Sequence, residues 1–287
     1  GINVGKALTD TPSLYVNGAK VAATYDSANG TLTPVTPLTD GLYTFAYSLT
    51  DKAGNESAPS PARSITIDTA APVAPGVIGT DDVGVNQGRI GTSPVGSVTD
   101  DTLPTISGVG TVGDVIKIYD GATLLGSTTV VTGGTWSFAT TSPLAEAVHS
   151  ITATATDPAG NVSANGAVLT FTVDTTAPLA PTAAPTTYKD DVGAITSASS
   201  VAAVTDDTLP GINITKGLTD TVNLYVDGAK VTSQYDAVAG TLTPVTPLGN
   251  GLHTFAYSLS DAAGNESAKS GTLSITIDTV APAAPTT

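Results

Sequence analysis

The sequence predicts an all-β chain of tandem two-sheet sandwiches, and three observations carry that prediction. The chain repeats itself, its apolar residues alternate along short runs, and no segment combines helical periodicity with capping residues. Residues 1–75 and 211–285 align without a gap at an offset of 210: GINVGKALTD answers GINITKGLTD, and GTLTPVTPL and TFAYSL recur. The middle segment is a more divergent copy. Its DPAGNVS at 157–163 matches DKAGNES at 51–57 and DAAGNES at 261–267, giving periods of 157 − 51 = 106 and 261 − 157 = 104 residues.

Such a period is too long for a solenoid repeat and fits domains of immunoglobulin size. Along each copy, Asn17-Gly18, Asp120-Gly121 and Asp227-Gly228 are hairpin dipeptides between alternating runs. In the long strand that follows, Tyr43, Phe45, Tyr47 and Leu49 alternate with Thr44, Ala46, Ser48 and Thr50. The counterparts are His149, Ile151, Ala153 and Ala155, then His253, Phe255, Tyr257 and Leu259. The last strand alternates too, as Ile65/Ile67, Phe171/Val173 and Ile275/Ile277, and ends on Asp68, Asp174 and Asp278. The Ala-Pro pairs beyond it, such as Ala71-Pro72 and Ala177-Pro178, fix φ and favour extended chain, so they predict stiff, short linkers.

The predicted organisation is a sandwich over 1–71, shortened at its N-terminal side, then sandwiches over 72–177 and 178–281, each with an upstream acidic linker. Residues 282–287 start a further linker. The chain opens inside a repeat and closes in a linker, the pattern of a segment from a longer array. The absence of a signal peptide therefore says little about destination.

Composition narrows the function classes. Only 12% of residues are charged, yet the net charge is −15, and Glu appears only at 56, 146 and 266, leaving 25 − 3 = 22 Asp. A helical or merely solvated acidic surface would use Glu freely. Asp is the residue of turns and of hard-cation sites. Ten Lys and Arg, spread singly, argue against nucleic acid or anionic membrane as partner. There is no Cys, hence no disulfide and no thiolate site, and no apolar run reaches membrane-spanning length.

The acids cluster where the domains meet. Doublets at Asp81-Asp82 and Asp100-Asp101, and again at Asp190-Asp191 and Asp206-Asp207, lie between a strand-ending Asp and the next sandwich. The expected constellation at the first junction is Asp68, Asp81, Asp82, Asp100, Asp101 and Asp157. At the second it is Asp174, Asp190, Asp191, Asp206, Asp207 and Asp261. Calcium takes six to eight oxygens, and six carboxylates suggest two ions per junction. The spacing from strand end to second doublet is the same in both (100 − 68 = 32 and 206 − 174 = 32). Asp10, Asp40, Asp114, Asp120, Asp227 and Asp236 are assigned to turns instead. Catalysis is not expected: no Ser/His/Asp spacing, phosphate loop or His ligand pair occurs, and the paired Asp residues recur at junctions instead of gathering once in a cleft. Trp136, in TWSF, is assigned to the core, and His149 and His253 to an ordinary strand position.

The combination of DDVG, TDDTLP, D-x-A-G-N and [IV]-D-T-x-A-P-x-A-P resembles the bacterial Ig-like repeats of giant type I-secreted, biofilm-associated-protein-like adhesins. The resemblance covers the whole chain. It implies surface display, calcium at the junctions, and a monomeric stalk segment in biofilm formation or attachment, meeting other cells or surfaces through the full-length protein. The alternative is an Ig-like module that itself binds a receptor or glycan, or self-associates between cells.

Overall fold

The computed structural model describes residues 1–91 and 96–284, and its described regular elements are all strands. They form three successive sandwiches. In the first, a three-stranded sheet (Ile2–Asn3, Thr31–Pro34, Ala23–Asp26) faces a four-stranded one ordered Ala19–Val21, Thr11–Val16, Gly41–Thr50, Arg63–Ile67. The third shares this plan and the second keeps it without a counterpart of Ala23–Asp26; both add strands at their beginnings. The acidic stretch expected as linker is built into the sandwich: Ile78–Asp81 and Tyr188–Asp190 join one sheet, and Val98–Thr99 and Val204–Thr205 join the other.

The direction of these added strands decides where the acids go. Ile78–Asp81 pairs antiparallel with Thr105–Val109, with Thr80 opposite Thr105. Val98–Thr99 pairs parallel with the last strand, Thr99 opposite Val173, and Asp174 N–H bonds to Thr99 O at 2.9 Å. Asp81, Asp100-Asp101 and Asp174 therefore meet at one pole, where the domain's last strand ends. The third sandwich repeats this, with Thr205 opposite Ile277 and Asp278 N–H to Thr205 O at 2.8 Å.

The cores follow the alternation. Ile106, Ile116, Ile118, Trp136, Ile151 and Phe171 are buried together in the second sandwich, where Trp136 Nε1 also donates to Val109 O at 3.2 Å. Tyr188, Ile212, Leu224, Phe255, Tyr257 and Ile275 fill the third. Burying a side chain of this size is worth about 1.5–3 kcal/mol before entropy. The first sandwich is more open. Its last-strand Ile65 is 39% exposed while the corresponding Ile275 is 0%. A groove of about 630 Å³, lined by Ile2, Phe45, Tyr47, Arg63 and Ile65, occupies the side where Tyr188 packs in the third.

Two of the three hairpins turn at the expected dipeptide: Asn17 and Asp227 both take φ +52°, the left-handed region that Asn and Asp tolerate. In the second sandwich Asp120 pairs with Thr123 instead, so the turn moves one residue on to Gly121-Ala122. The D-x-A-G-N turns lie at the opposite pole of each domain from the doublets. Gly251 pairs with Ile277, so the far end of the long strand, Ser260, and Asp261 beyond it, sit away from Asp278.

Candidate metal centre

Two poles carry the acids, and they are built alike. At the end of the second sandwich, Asp81 Oδ1 accepts from Val83 N at 3.0 Å and Oδ2 from Thr99 Oγ1 at 2.5 Å. Thr99 Oγ1 in turn accepts from Asp101 N at 3.1 Å, and Asp101 Oδ1 accepts from Leu103 N at 2.7 Å. At the end of the third, Asp190 Oδ2 accepts from Thr205 Oγ1 at 2.8 Å. Thr205 Oγ1 accepts from Asp207 N at 3.0 Å, and Asp207 Oδ1 from Leu209 N at 2.7 Å. The T-D-D-T-L-P motif is thus a Thr that ties two carboxylates together and an Asx-type turn that fixes the second.

The D-D-V-G motif supplies the wall. Gly84 and Gly193 hold φ of +67° and +75°, and a Cβ on either would fall inside the carboxylate of Asp100 or Asp206 respectively. Glycine lets the loop lie directly on the acid. In the third sandwich, Asp190, Asp206 and Asp278 line one cleft of about 300 Å³ with Thr205.

These carboxylates are short of partners. Asp81, Asp101, Asp190 and Asp207 are buried. Asp100 Oδ1, Asp101 Oδ2, Asp190 Oδ1 and Asp207 Oδ2 are enclosed carboxylate oxygens with no hydrogen bond. Leaving such atoms unpaired costs roughly 1–3 kcal/mol each, more for charged groups. Burial first, then the charges of Asp81, Asp101 and Asp261, raises the Asp100 carboxyl above its ordinary value. Burial and the neighbouring Asp81 and Asp82 do the same to Asp101, and burial with Asp191 and Asp190 to Asp207. A cation, which accepts the oxygens' lone pairs and offsets their charge, would relieve both problems, so the chemistry fits a hard cation. Among the described residues, however, no group of three or more His, Cys, Asp or Glu side chains is arranged to hold an ion. An ion here would need backbone carbonyls and water beside the carboxylates.

The grouping differs from the sequence expectation. Asp81, Asp82, Asp100 and Asp101 do not join Asp68 and Asp157; they gather with Asp174 at the following junction, where Asp261 approaches Asp100. Asp190, Asp206 and Asp207 gather with Asp278, not with Asp174 and Asp261. The reason is a strand count. The strand after T-D-D-T-L-P, taken as the first of its domain, is preceded in the sandwich by Ile78–Asp81 and Val98–Thr99, and so starts at the far pole. Asp191 turns away to pair with Lys189 Nζ at 2.6 Å. Asp68 and Asp174 cap their strand ends, accepting from Ala70 N and Thr176 N at 3.0 Å. Asp157 and Asp261 are bound within their own turns: Asn161 Nδ2 lies 2.8 Å from Asp157 Oδ2, and Asn265 Nδ2 lies 3.0 Å from Asp261 Oδ2. Asn161 at Asp157's carboxylate holds that group below its ordinary value.

Two other clusters went unpredicted. Glu56 gathers Tyr15, Lys20 and Ser48, and Glu266 gathers Tyr225, Lys230 and Ser258. Bonds from Lys20, Ser48 and Tyr15 lower Glu56 to about 2. Asp120 and Asp227, assigned to turns, also bind His149 Nδ1 at 2.7 Å and His253 Nδ1 at 2.8 Å. The signal was present: Asp pairs with His in two repeats, whereas Asn17 and Tyr43 stand at the Asp227 and His253 positions in the first.

Repeated sandwiches with acid-lined poles define a tandem immunoglobulin-like array. A family model described as bacterial Ig-like domain matches residues 2–69, 83–175 and 182–279, and the chain belongs to that family. Exoglucanase B of Cellulomonas fimi is 31% identical over 275 residues, 91% of this chain, and the chain spans only 22% of that protein's length. Among solved structures, the chain is similar to part of a 1.5-MDa bacterial ice-binding adhesin (21% identity, 93% of this chain and 84% of that one, TM-score 0.38). It is also similar to Clostridium thermocellum CbhA fibronectin(III)-like modules (19%, 64% and 91%, TM-score 0.39) and a biofilm-associated protein's BSP domain (18%, 90% and 46%, TM-score 0.23).

Proposed function

We propose that the chain is a stalk segment of a large bacterial surface protein, displayed outside the cell and stiffened by calcium bound at the acidic poles. The resemblance to adhesin repeats suggests type I secretion and a role in biofilm formation or attachment. The observation that carries the reading is the set of enclosed, unpartnered carboxylate oxygens at two equivalent poles. Without a cation, the crowded acids repel each other and favour an open junction. With one, carboxylates and carbonyls on both sides of the seam share a ligand. Extracellular modules bind calcium with dissociation constants of about 0.1–1 mM, so the joint is loose in a cytosol and firm outside. The match to 22% of the length of Exoglucanase B suits a repeat used as a spacer.

Calorimetry and small-angle scattering test this together. Calcium titrated into chelated protein is expected to bind in the submillimolar range, and the maximum dimension to increase. No heat and an unchanged dimension would remove the calcium role and leave only a spacer. The receptor- or glycan-binding alternative predicts specific retention on a glycan or cell surface by this segment alone.

A further inference from the structure

We propose that Asn161 and Asn265 are positioning residues that latch each sandwich onto the last strand of the one before it, without help from a metal ion. Asn161 Nδ2 donates to Asp68 O, the main-chain carbonyl ending the first sandwich, at 3.1 Å. Asn265 Nδ2 donates to Asp174 O, at the end of the second, at 2.8 Å. Each bond joins residues about ninety positions apart in the chain and crosses a domain boundary.

The amide is aimed before its partner arrives. Asp157 Oδ1 accepts from Asn161 N at 2.9 Å and Oδ2 from Asn161 Nδ2 at 2.8 Å, which fixes the side chain and leaves its second amide hydrogen pointing outwards. Asp261 treats Asn265 identically, at 3.0 Å and 3.0 Å. Asp51 holds Asn55 in the same way in the first sandwich (2.9 Å and 2.9 Å), where Asn55 Nδ2 meets no carbonyl among the described residues. The turn thus preorganises a donor for a strand-end carbonyl, and the acid of D-x-A-G-N serves as its orienter. An ion is not required, because the first junction makes the bond although the acid doublets lie at other poles. The second junction adds a packing contact: a Cβ on Gly264 would meet Asn86 Nδ2 at 3.0 Å and Val85 Cγ2 at 3.1 Å, so that turn sits tight against the preceding domain's loop. The calcium reading and the latch share the seams but neither rests on the other.

The absence of cysteine allows clean spin labelling of the full chain. Labels at Ala28→Cys and Ala122→Cys report the first junction, and at Ala122→Cys and Ala239→Cys the second, by pulsed dipolar distance measurement. Wild type is expected to show one narrow distance across the first junction in chelator. Asn161→Ala is expected to lose that narrow distance, with or without calcium, while calorimetric calcium binding is unchanged. Asn55→Ala makes the same lesion in a turn that meets no carbonyl and should leave the distance narrow. Asn161→Gln, which keeps the amide but displaces it, serves if the alanine variant does not fold. Asn265→Ala should broaden the second-junction distance beyond its wild-type width in the same medium. A narrow distance in Asn161→Ala, or equal broadening in Asn55→Ala, overturns the latch; absent calcium heat leaves it standing and overturns only the calcium reading.

Discussion

Both ring nitrogens of His149 face oxygens: Asp120 Oδ2 at 2.7 Å and Ala145 O at 2.9 Å. A carboxylate and a carbonyl can only accept, so the ring satisfies both only as the doubly protonated imidazolium. Burial alone would lower its pKa, but the Ala145 carbonyl and the Asp120 carboxylate outweigh burial and raise it. The folded value therefore lies above the unfolded one, near 6.5. The clamp's contribution is fully present below that value and is lost as pH rises through the raised one. His149→Phe is expected to cost roughly 1.5–3 kcal/mol at pH 5.5, with a smaller gap from wild type at pH 8.5. Denaturant unfolding at the two pH values checks this, and a gap that does not shrink contradicts the imidazolium. The pairing itself could be seen in the sequence only by comparing repeats, because Asp before Gly reads first as a hairpin residue.

At the scale of the element, the same sign rule applies to the doublets and with the same consequence. The Asp100, Asp101 and Asp207 carboxyls are raised by burial and by neighbouring charge, so without metal they favour the fold below about pH 4 and weaken it as pH rises through their folded values. Calcium binds the deprotonated form. Its stabilisation should be smaller at pH 4.5 than at pH 7.5, where at 10 mM and the affinities above it is roughly 1.4–2.7 kcal/mol. Thermal melts with calcium and with chelator at both pH values measure it; an equal effect at both would exclude these acids as ligands. The long strands were legible because alternation over ten residues, as in Gly41–Thr50, identifies one buried face. Val98–Thr99 and Val204–Thr205 were not, since two residues carry no period and their parallel partner lies some seventy positions away. That blind spot sent the doublets to the wrong pole.

For the molecule as a whole, the regrouping makes the two junctions unequal. Acid doublets flank the second junction, where Asp261 comes close enough to Asp100 to affect it, whereas the described acids at the first are Asp68, Asp157 and the buried Asp114 beside Asp157, with no doublet. Calcium should therefore narrow the spin-label distance across the second junction and leave the first unaltered. Equal narrowing at both would mean that the doublets are not the ligands. The repeat and the tandem plan were legible from the offset of 210 residues; the polarity of each seam was not, because it depends on the crossing from one sheet to the other. That crossing has a mechanical consequence. The chain enters the second sandwich at one end and leaves at the other, so a pull between those ends drags Ile78–Asp81 against Thr105–Val109 and Val98–Thr99 against Leu169–Val173. Those hydrogen bonds are loaded in shear and must fail together, so a domain pulled at its two ends resists with its full grip before the first strand slips.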